Sequence, residues 1–245
     1  MISEPYEPPS PWGKRVGVWP NRAEDMKSKQ SKPPIYYPIL LNIQGKRCVV
    51  IGGGKVALRK VKMLLDCGAN IMVISPKPHP DMVKLSKKKA LRLTQRNYET
   101  RDLRKAAVVI ACTDVKEVNR KVADDAKKAR VLVNVADDAE PSDFVLPSFF
   151  RRGNLLVAVS TSGVSPALAR RIRTKLEKDF GEEYASLLSL IGEVRSTLKR
   201  KGNIVDAGTW QEALDLDPLM RLMKAGRWEK AMTFLLSRLT VDQEE

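Results

Sequence analysis

The chain predicts an α/β fold, a parallel sheet covered by helices with a helical region after it, on three observations. Short apolar strands alternate with helical segments from Lys46 to Val135. The strands are continuous apolar runs rather than alternating ones, so both faces of the sheet are covered. Beyond residue 160 no strand pattern remains. A chain of 245 residues holds one large domain, or a medium one with an appendage, and needs no metal or disulfide to stay folded.

The elements follow in order. Residues 1–35 read as an irregular Pro-rich extension. Seven of the fifteen prolines lie by residue 34, removing strand donors and breaking helices. Trp12 and Trp19 could dock this extension on a neighbouring surface. Lys46–Ile51 is a strand. Lys55–Cys67 is helical, with Val56, Lys60, Met63 and Leu64 near one face, and Gly68 stops it. Asn70–Ser75 is a second strand, Asp81–Lys89 a short basic helix and Ala90–Gln95 a third strand. Ala106–Cys112 is a fourth strand, Val115–Ala129 a helix and Val131–Val135 a fifth strand. Ser142–Phe150 and Asn154–Ser160 read as two more strands, with Arg151-Arg152-Gly153 turning between them. Ser165 as N-cap and Pro166 at the first position open a helix over 167–180. Residues 183–200 are helical, and 209–239 holds shorter helices. The division expected is an extension at 1–35, a nucleotide domain at 36–148, a linking region at 149–180 and a helical domain at 181–245.

Charge narrows the partners. Lys plus Arg is 44 and Asp plus Glu 29, a net +15. Such a chain attracts polyanions: nucleic acid, anionic membranes or small acidic substrates. The basic residues are spread along the sequence with no nucleic-acid motif beside them, so no nucleic-acid partner is expected. Cys48, Cys67 and Cys112 form no C-x-x-C pair and read as reduced thiols. The one histidine, His79, offers no metal set, and no bound metal is expected. There is no secretory signal and no run near the roughly 20 apolar residues of a membrane span. A cytoplasmic protein without a membrane partner is expected.

The chemistry begins at Gly52-Gly53-Gly54-Lys55-Val56-Ala57, a G-x-G-x-x-A loop between a strand and a helix. Gly52 permits the tight turn, and Gly54 lets the backbone approach a pyrophosphate. Ala57 keeps helix and strand close, and the helix N-terminus faces the phosphates. In this βαβ setting the loop predicts a Rossmann-type dinucleotide domain, with Gly52, Gly54, Lys55 and Val56 against the cofactor. The second strand should end in an acid for the ribose 2′-hydroxyl. Here Ser75-Pro76-Lys77 stands instead. Ser75 could bond the ribose and Lys77 a 2′-phosphate, so the residues leave NAD and NADP both open. Thr113 and Asp114, at the end of the fourth strand, are either contacts for the nicotinamide ribose or caps of the next helix.

Four motifs in order then carry a resemblance: Val49–Lys60 around the glycine loop, Ala111–Asn119, Asn134-Val-Ala-Asp137, and Val157–Arg170. Together they resemble the precorrin-2 dehydrogenases, the N-terminal module of siroheme synthases, over about residues 36–200. Residues 1–35 match nothing in that family. The resemblance implies NAD-dependent oxidation of precorrin-2 to sirohydrochlorin, with ferrous-iron insertion in some members. It implies a homodimer, with 149–180 as the dimerisation element. It places the catalytic carboxylate at Asp137, with Asp138 as its neighbour, against a turn-capping reading of the same residues. It places substrate contacts at Ser160, Thr161, Ser162 and Arg170, although Thr161 stands where the family often has serine. The substrate, a tetrapyrrole octacarboxylate, would also account for the basic charge. Arg151, Arg152, Arg171 and Arg173 are further candidates for its cleft. The alternative from another class is a non-catalytic NAD-sensing regulatory module.

Overall fold

The computed structural model describes residues 34–136 and 138–240. Most of the Pro-rich extension, including Trp12 and Trp19, lies outside the described residues, and so does Asp137. From Ile35 onward the chain forms one unit.

Five strands form a parallel sheet: β1 (Arg47–Ile51), β2 (Asn70–Ile74), β3 (Arg92–Thr94), β4 (Val108–Ala111) and β5 (Leu132–Val135). Their order is β3-β2-β1-β4-β5. β1 pairs with β2 from Arg47↔Asn70 to Ile51↔Ile74, and with β4 from Cys48↔Val108 to Ile51↔Ala111. Strand order reverses between β1 and β4, so the ligand crevice of such a sheet falls at their carboxyl ends.

Strand residues alternate between faces, and each face has its own core. Cys48, Val50, Ile71, Val73, Val108 and Ile110 pack under α1 (Lys55–Asp66) and α2 (Pro80–Lys87). Val49, Ile51, Ile74, Val109, Ala111, Val133 and Val135 pack under α3 (Lys116–Ala129), which contributes Val122, Ala123 and Ala126. The continuous apolar runs are thus doubly buried strands, as expected.

Three expectations need correction. The inward face of α1 is Ala57, Leu58, Val61 and Leu64, not the stripe through Val56 and Met63. Val56 is exposed because the first helical turn stands at the open end of the sheet. The strand expected from Ser142 begins only at Ser148. Residues 142–144 run along β5 without joining it. The Ser142 hydroxyl and the Asp143 carboxylate accept the N–H groups of Val135 and Val133, each at 2.9 Å. The Asn134 amide donates to the Phe144 carbonyl at 2.9 Å. One backbone bond, from the Asp143 N–H to the Val133 carbonyl at 2.8 Å, joins these side-chain bonds, and no regular ladder forms. The third correction is that Arg151 and Arg152 lie within β6 (Ser148–Arg152), which pairs antiparallel with β7 (Leu155–Val159) through the turn at Gly153-Asn154.

A return loop between β3 and β4 is braced at Asp102, which is 3% exposed. Arg96 grips its carboxylate with two bonds of 2.9 and 2.6 Å, and the Glu99 N–H donates to it at 2.9 Å. Burial alone would raise this carboxyl, but Arg96 and the Glu99 N–H outweigh it and hold it below the usual carboxylate range.

The hairpin leads to α4 (Pro166–Asp179), capped by the Ser165 hydroxyl as expected. Four further helices, α5 (Glu183–Arg200), α6 (Ala207–Ala213), α7 (Leu216–Lys224) and α8 (Trp228–Thr240), share a separate core around Leu190, Leu219 and Leu235. Among the described residues, no helix is long and apolar enough to cross a membrane.

Candidate functional site

Each of the three glycines after β1 meets a different requirement. Gly52 has φ +131°, and a β-carbon there would lie 2.4 Å from the Cys112 carbonyl oxygen. Only glycine allows the turn and the close packing on the end of β4. A β-carbon on Gly53 would lie 2.3 Å from both the Lys77 carbonyl oxygen and Ser75 Oγ. Gly54 is the opposite case: a β-carbon there would meet nothing within 4 Å. The open space at Gly54 faces no protein atom, and this is where a pyrophosphate can approach the backbone.

Gly54 is also the N-cap of α1 and makes no side-chain cap bond, and no acidic residue stands in the first turn. The helix therefore presents its N–H groups and dipole to solvent at this end. Lys55 and Val56 are exposed beside it, and Ala57 is fully buried against the sheet. The arrangement fits an anionic dinucleotide.

The loop after β2 closes on this turn. The His79 N–H donates to the Gly53 carbonyl at 2.8 Å. Ser75 is 5% exposed, and its hydroxyl accepts the Lys77 N–H at 3.2 Å. Ser75 thus shapes the loop beneath Gly53, while Pro76 and Lys77 are exposed on it. His79 caps α2, its Nδ1 accepting the Asp81 N–H at 3.2 Å.

The loop after β4 is folded by a residue to which the sequence reading gave no role. Asn119 of α3 is 9% exposed. Its Oδ1 accepts the Thr113 N–H at 3.1 Å and the Thr113 hydroxyl at 2.8 Å, and its Nδ2 donates to the Thr113 carbonyl at 2.9 Å. The N-cap of α3 is Val115, so neither Thr113 nor Asp114 is the capping residue. Thr113 Oγ1 does accept the Val115 N–H, at 3.2 Å. Asp114 is exposed. The available signal for Asn119 was a lone polar residue on the buried stripe with Val122, Ala123 and Ala126.

Gly52, Gly54, Lys55, Val56, Ser75, Pro76, Lys77, Thr113 and Asp114 therefore gather at one edge of the sheet, the carboxyl ends of β1, β2 and β4. Asp137 is outside the described residues. Its neighbours stand at that edge: the Ala136 N–H donates to the Ala111 carbonyl at 2.8 Å, and Asp138 follows, exposed.

The second group lies on the β7–α4 loop. Ser160 Oγ accepts the Ser162 N–H, and Thr161 Oγ1 accepts the Ser165 N–H, each at 3.1 Å. Ser162 and Gly163 have φ +51° and +86°. Arg170 and Arg171 are exposed, and neither makes an ion pair among the described residues. Arg152 and Arg173 are already engaged. Arg152 donates to the carbonyls of Phe180 at 3.1 Å and Glu177 at 3.2 Å, tying β6 to the end of α4. Arg173 pairs with Glu177. Among the described residues no cluster of His, Cys, Asp or Glu could hold a metal ion. Burial pushes the Cys48 thiol up to about 11, with Cys67 adding to the effect, so it stays protonated and unreactive.

A switch-point crevice lined by a glycine turn and a free helix N-terminus defines a dinucleotide-binding protein. The comparisons agree. A family model described as putative NAD(P)-binding matches residues 39–148, and one described as sirohaem biosynthesis protein, central, matches 152–178. A siroheme synthase of Nitrosococcus oceani is 37% identical over 198 residues, covering 80% of this chain and 42% of the relative. A siroheme synthase of Methylobacillus flagellatus is 38% identical over 164 residues, covering 67% and 35%. A solved structure titled SirC, precorrin-2 dehydrogenase, superposes with a TM-score of 0.65 at 26% identity, covering 82% of this chain and all of that one. The chain is similar to siroheme synthases and to a precorrin-2 dehydrogenase over most of its length, and spans about two fifths of the curated relatives it matches.

Proposed function

We propose that this chain oxidises precorrin-2 to sirohydrochlorin with NAD as hydride acceptor. The observation that carries the reading is the open glycine cradle at the switch point, in a chain whose curated relatives are siroheme synthases and whose structural neighbour is titled a precorrin-2 dehydrogenase. The regulatory alternative finds no support among those relatives.

The residues divide the work. The Gly54 backbone and the first turn of α1, with Lys55 and Val56, hold the pyrophosphate. Pro76 and Lys77 border the adenosine ribose, with Ser75 supporting them from beneath, and Asp114 borders the nicotinamide side. Bound NAD supplies a two-electron acceptor. With it bound, precorrin-2 would lose a hydride to the cofactor and a proton to a base, giving sirohydrochlorin, NADH and H⁺. Asp137, which follows Ala136 in sequence, is that base, and a carboxylate can pass the proton on to water. The same group would accept pyrrole protons if ferrous iron were inserted afterwards. Ser160, Thr161, Ser162 and Arg170 bind the substrate, with its carboxylates paired to Arg170 and Arg171, the two α4 arginines that make no ion pair among the described residues.

The working form is a homodimer through the hairpin and α4. Support comes from Val164, Leu168 and Ile172, which are 77%, 50% and 38% exposed at four-residue steps. Three free cysteines fit the reducing cytoplasm.

The test is Asp137→Asn. It should bind NAD within twofold of the parent and lose turnover by at least about 100-fold, the scale of a lost general base. Near-parental turnover would remove Asp137 from the mechanism. Running the parent with NAD and NADP in parallel, then with ferrous or cobaltous ion added, reads cofactor choice and metal insertion in one series.

A further inference from the structure

We infer that Asn119 is a positioning residue for the cofactor: through the backbone of Thr113 it fixes the wall of the crevice against which the nicotinamide half of the dinucleotide lies. The inference rests on the dinucleotide reading above.

Three observations combine. First, β4 ends at Ala111, and its last ladder bond is the Cys112 N–H to the Ile51 carbonyl at 2.8 Å. One residue later the Asn119 amide engages both the N–H and the C=O of Thr113. An amide side chain has the donor and acceptor of a peptide unit, so Asn119 stands in for the next residue of a neighbouring strand. Second, the Thr113 hydroxyl is spent inside the loop. It donates to Asn119 Oδ1 or, at 3.0 Å, to the Val115 carbonyl, and it accepts the Val115 N–H. Thr113 therefore contributes its backbone position to the crevice rather than its hydroxyl. Third, this backbone is packed on the glycine turn. A β-carbon on Gly52 would lie 2.4 Å from the Cys112 carbonyl oxygen and 3.3 Å from the Thr113 nitrogen. The glycine turn is held on its other side by the His79 N–H bond to the Gly53 carbonyl. The three loop ends that form the crevice are thus one packed unit, and Asn119 fixes the third of them.

The chemistry of the residue is specific. Aspartate keeps the acceptor for the Thr113 N–H and hydroxyl but loses the donor to the Thr113 carbonyl, and sets a negative oxygen against that carbonyl. Leucine keeps the volume and loses all three bonds. Serine is too short to reach both groups.

The test compares Asn119→Leu and Asn119→Asp with the parent. It uses NAD binding by titration, amide hydrogen exchange over residues 112–115, thermal unfolding, and KM for NAD against kcat. Asn119→Leu is expected to weaken NAD binding at least tenfold and to speed exchange at Thr113 at least tenfold, with KM for precorrin-2 within twofold. Asn119→Asp should weaken NAD binding three- to tenfold. A merely structural role predicts lower melting temperatures with NAD affinity within twofold, and that result overturns the inference. If Asn119→Leu does not fold, Asn119→Asp decides, and unchanged NAD affinity in it overturns the inference equally. Binding and exchange need no precorrin-2. A parent that binds NAD without turnover would defeat the dehydrogenase reading and leave this one standing, whereas a parent that does not bind NAD would defeat both.

Discussion

Gly52 and Gly54 stand two residues apart in one motif, yet their replacement by alanine should fail in opposite ways. At Gly54 the backbone, with φ −79° and ψ −175°, suits any residue, and the new methyl meets no atom within 4 Å. The fold should lose no more than about 1 kcal/mol, the difference between glycine and alanine at an N-cap. For a chain of this size that is a melting shift of about 2–4 °C. NAD binding should suffer far more, because the methyl occupies the place of the pyrophosphate. Losing two charge-assisted bonds at about 1.5 kcal/mol each weakens binding on the order of 100-fold. Gly54→Asp adds charge repulsion and should abolish binding. At Gly52 the methyl would lie 2.4 Å from the Cys112 carbonyl oxygen, at a φ of +131°. Backbone strain and overpacking together cost roughly 2–6 kcal/mol, a fall of at least about 5 °C. Thermal unfolding without ligand and NAD titration separate the two. Parental NAD affinity in Gly54→Ala, or a melting loss matching that of Gly52→Ala, would refute the assignment of the cradle.

Two further perturbations test the scaffold and the substrate side. The Asp102 carboxyl titrates lower in the fold than its ordinary value of about 3.9, so its contribution to stability is complete above that pH and is lost as pH falls through the folded value. Asp102→Asn should cost about 2–3 kcal/mol at neutral pH, because Arg96 is 31% exposed and not fully stranded, and should show a shallower acid limb below about pH 4 in denaturant titrations. A parallel acid limb would exclude Asp102 as its source. Arg152→Ala should lower the melting temperature by several degrees and leave NAD affinity unchanged, since Arg152 holds two carbonyls at the end of α4. Arg170→Ala should do the reverse, sparing stability while raising KM for the tetrapyrrole. Equal stability losses in the two arginine variants would contradict the division between them.

Much of this was legible from residues alone because it depends on local rules. Apolar continuity marked the doubly buried strands, and the Gly52–Ala57 loop between a strand and a helix marked the cradle. What escaped depends on partners distant in sequence or on which way a side chain turns. The Ser142–Phe144 segment has strand-like composition, but Ser142 and Asp143 hydrogen-bond β5 with their side chains. The α1 stripe was shifted because Val56, apolar as it is, faces the open end of the sheet. Five arginines near residues 151–173 look alike in sequence. Only packing shows that Arg152 and Arg173 are held by α4 and its end while Arg170 and Arg171 are not. Asn119 was visible as a polar residue on a buried stripe, but its partner Thr113 is set by how the helix returns over the strand end.

The central claim is tested most directly by mixing purified protein with precorrin-2 and NAD and following NADH absorbance together with the sirohydrochlorin spectrum. The account predicts that both appear in equal amounts, and that both vanish in Asp137→Asn while NAD still binds. NAD binding by the parent with neither signal appearing would contradict it.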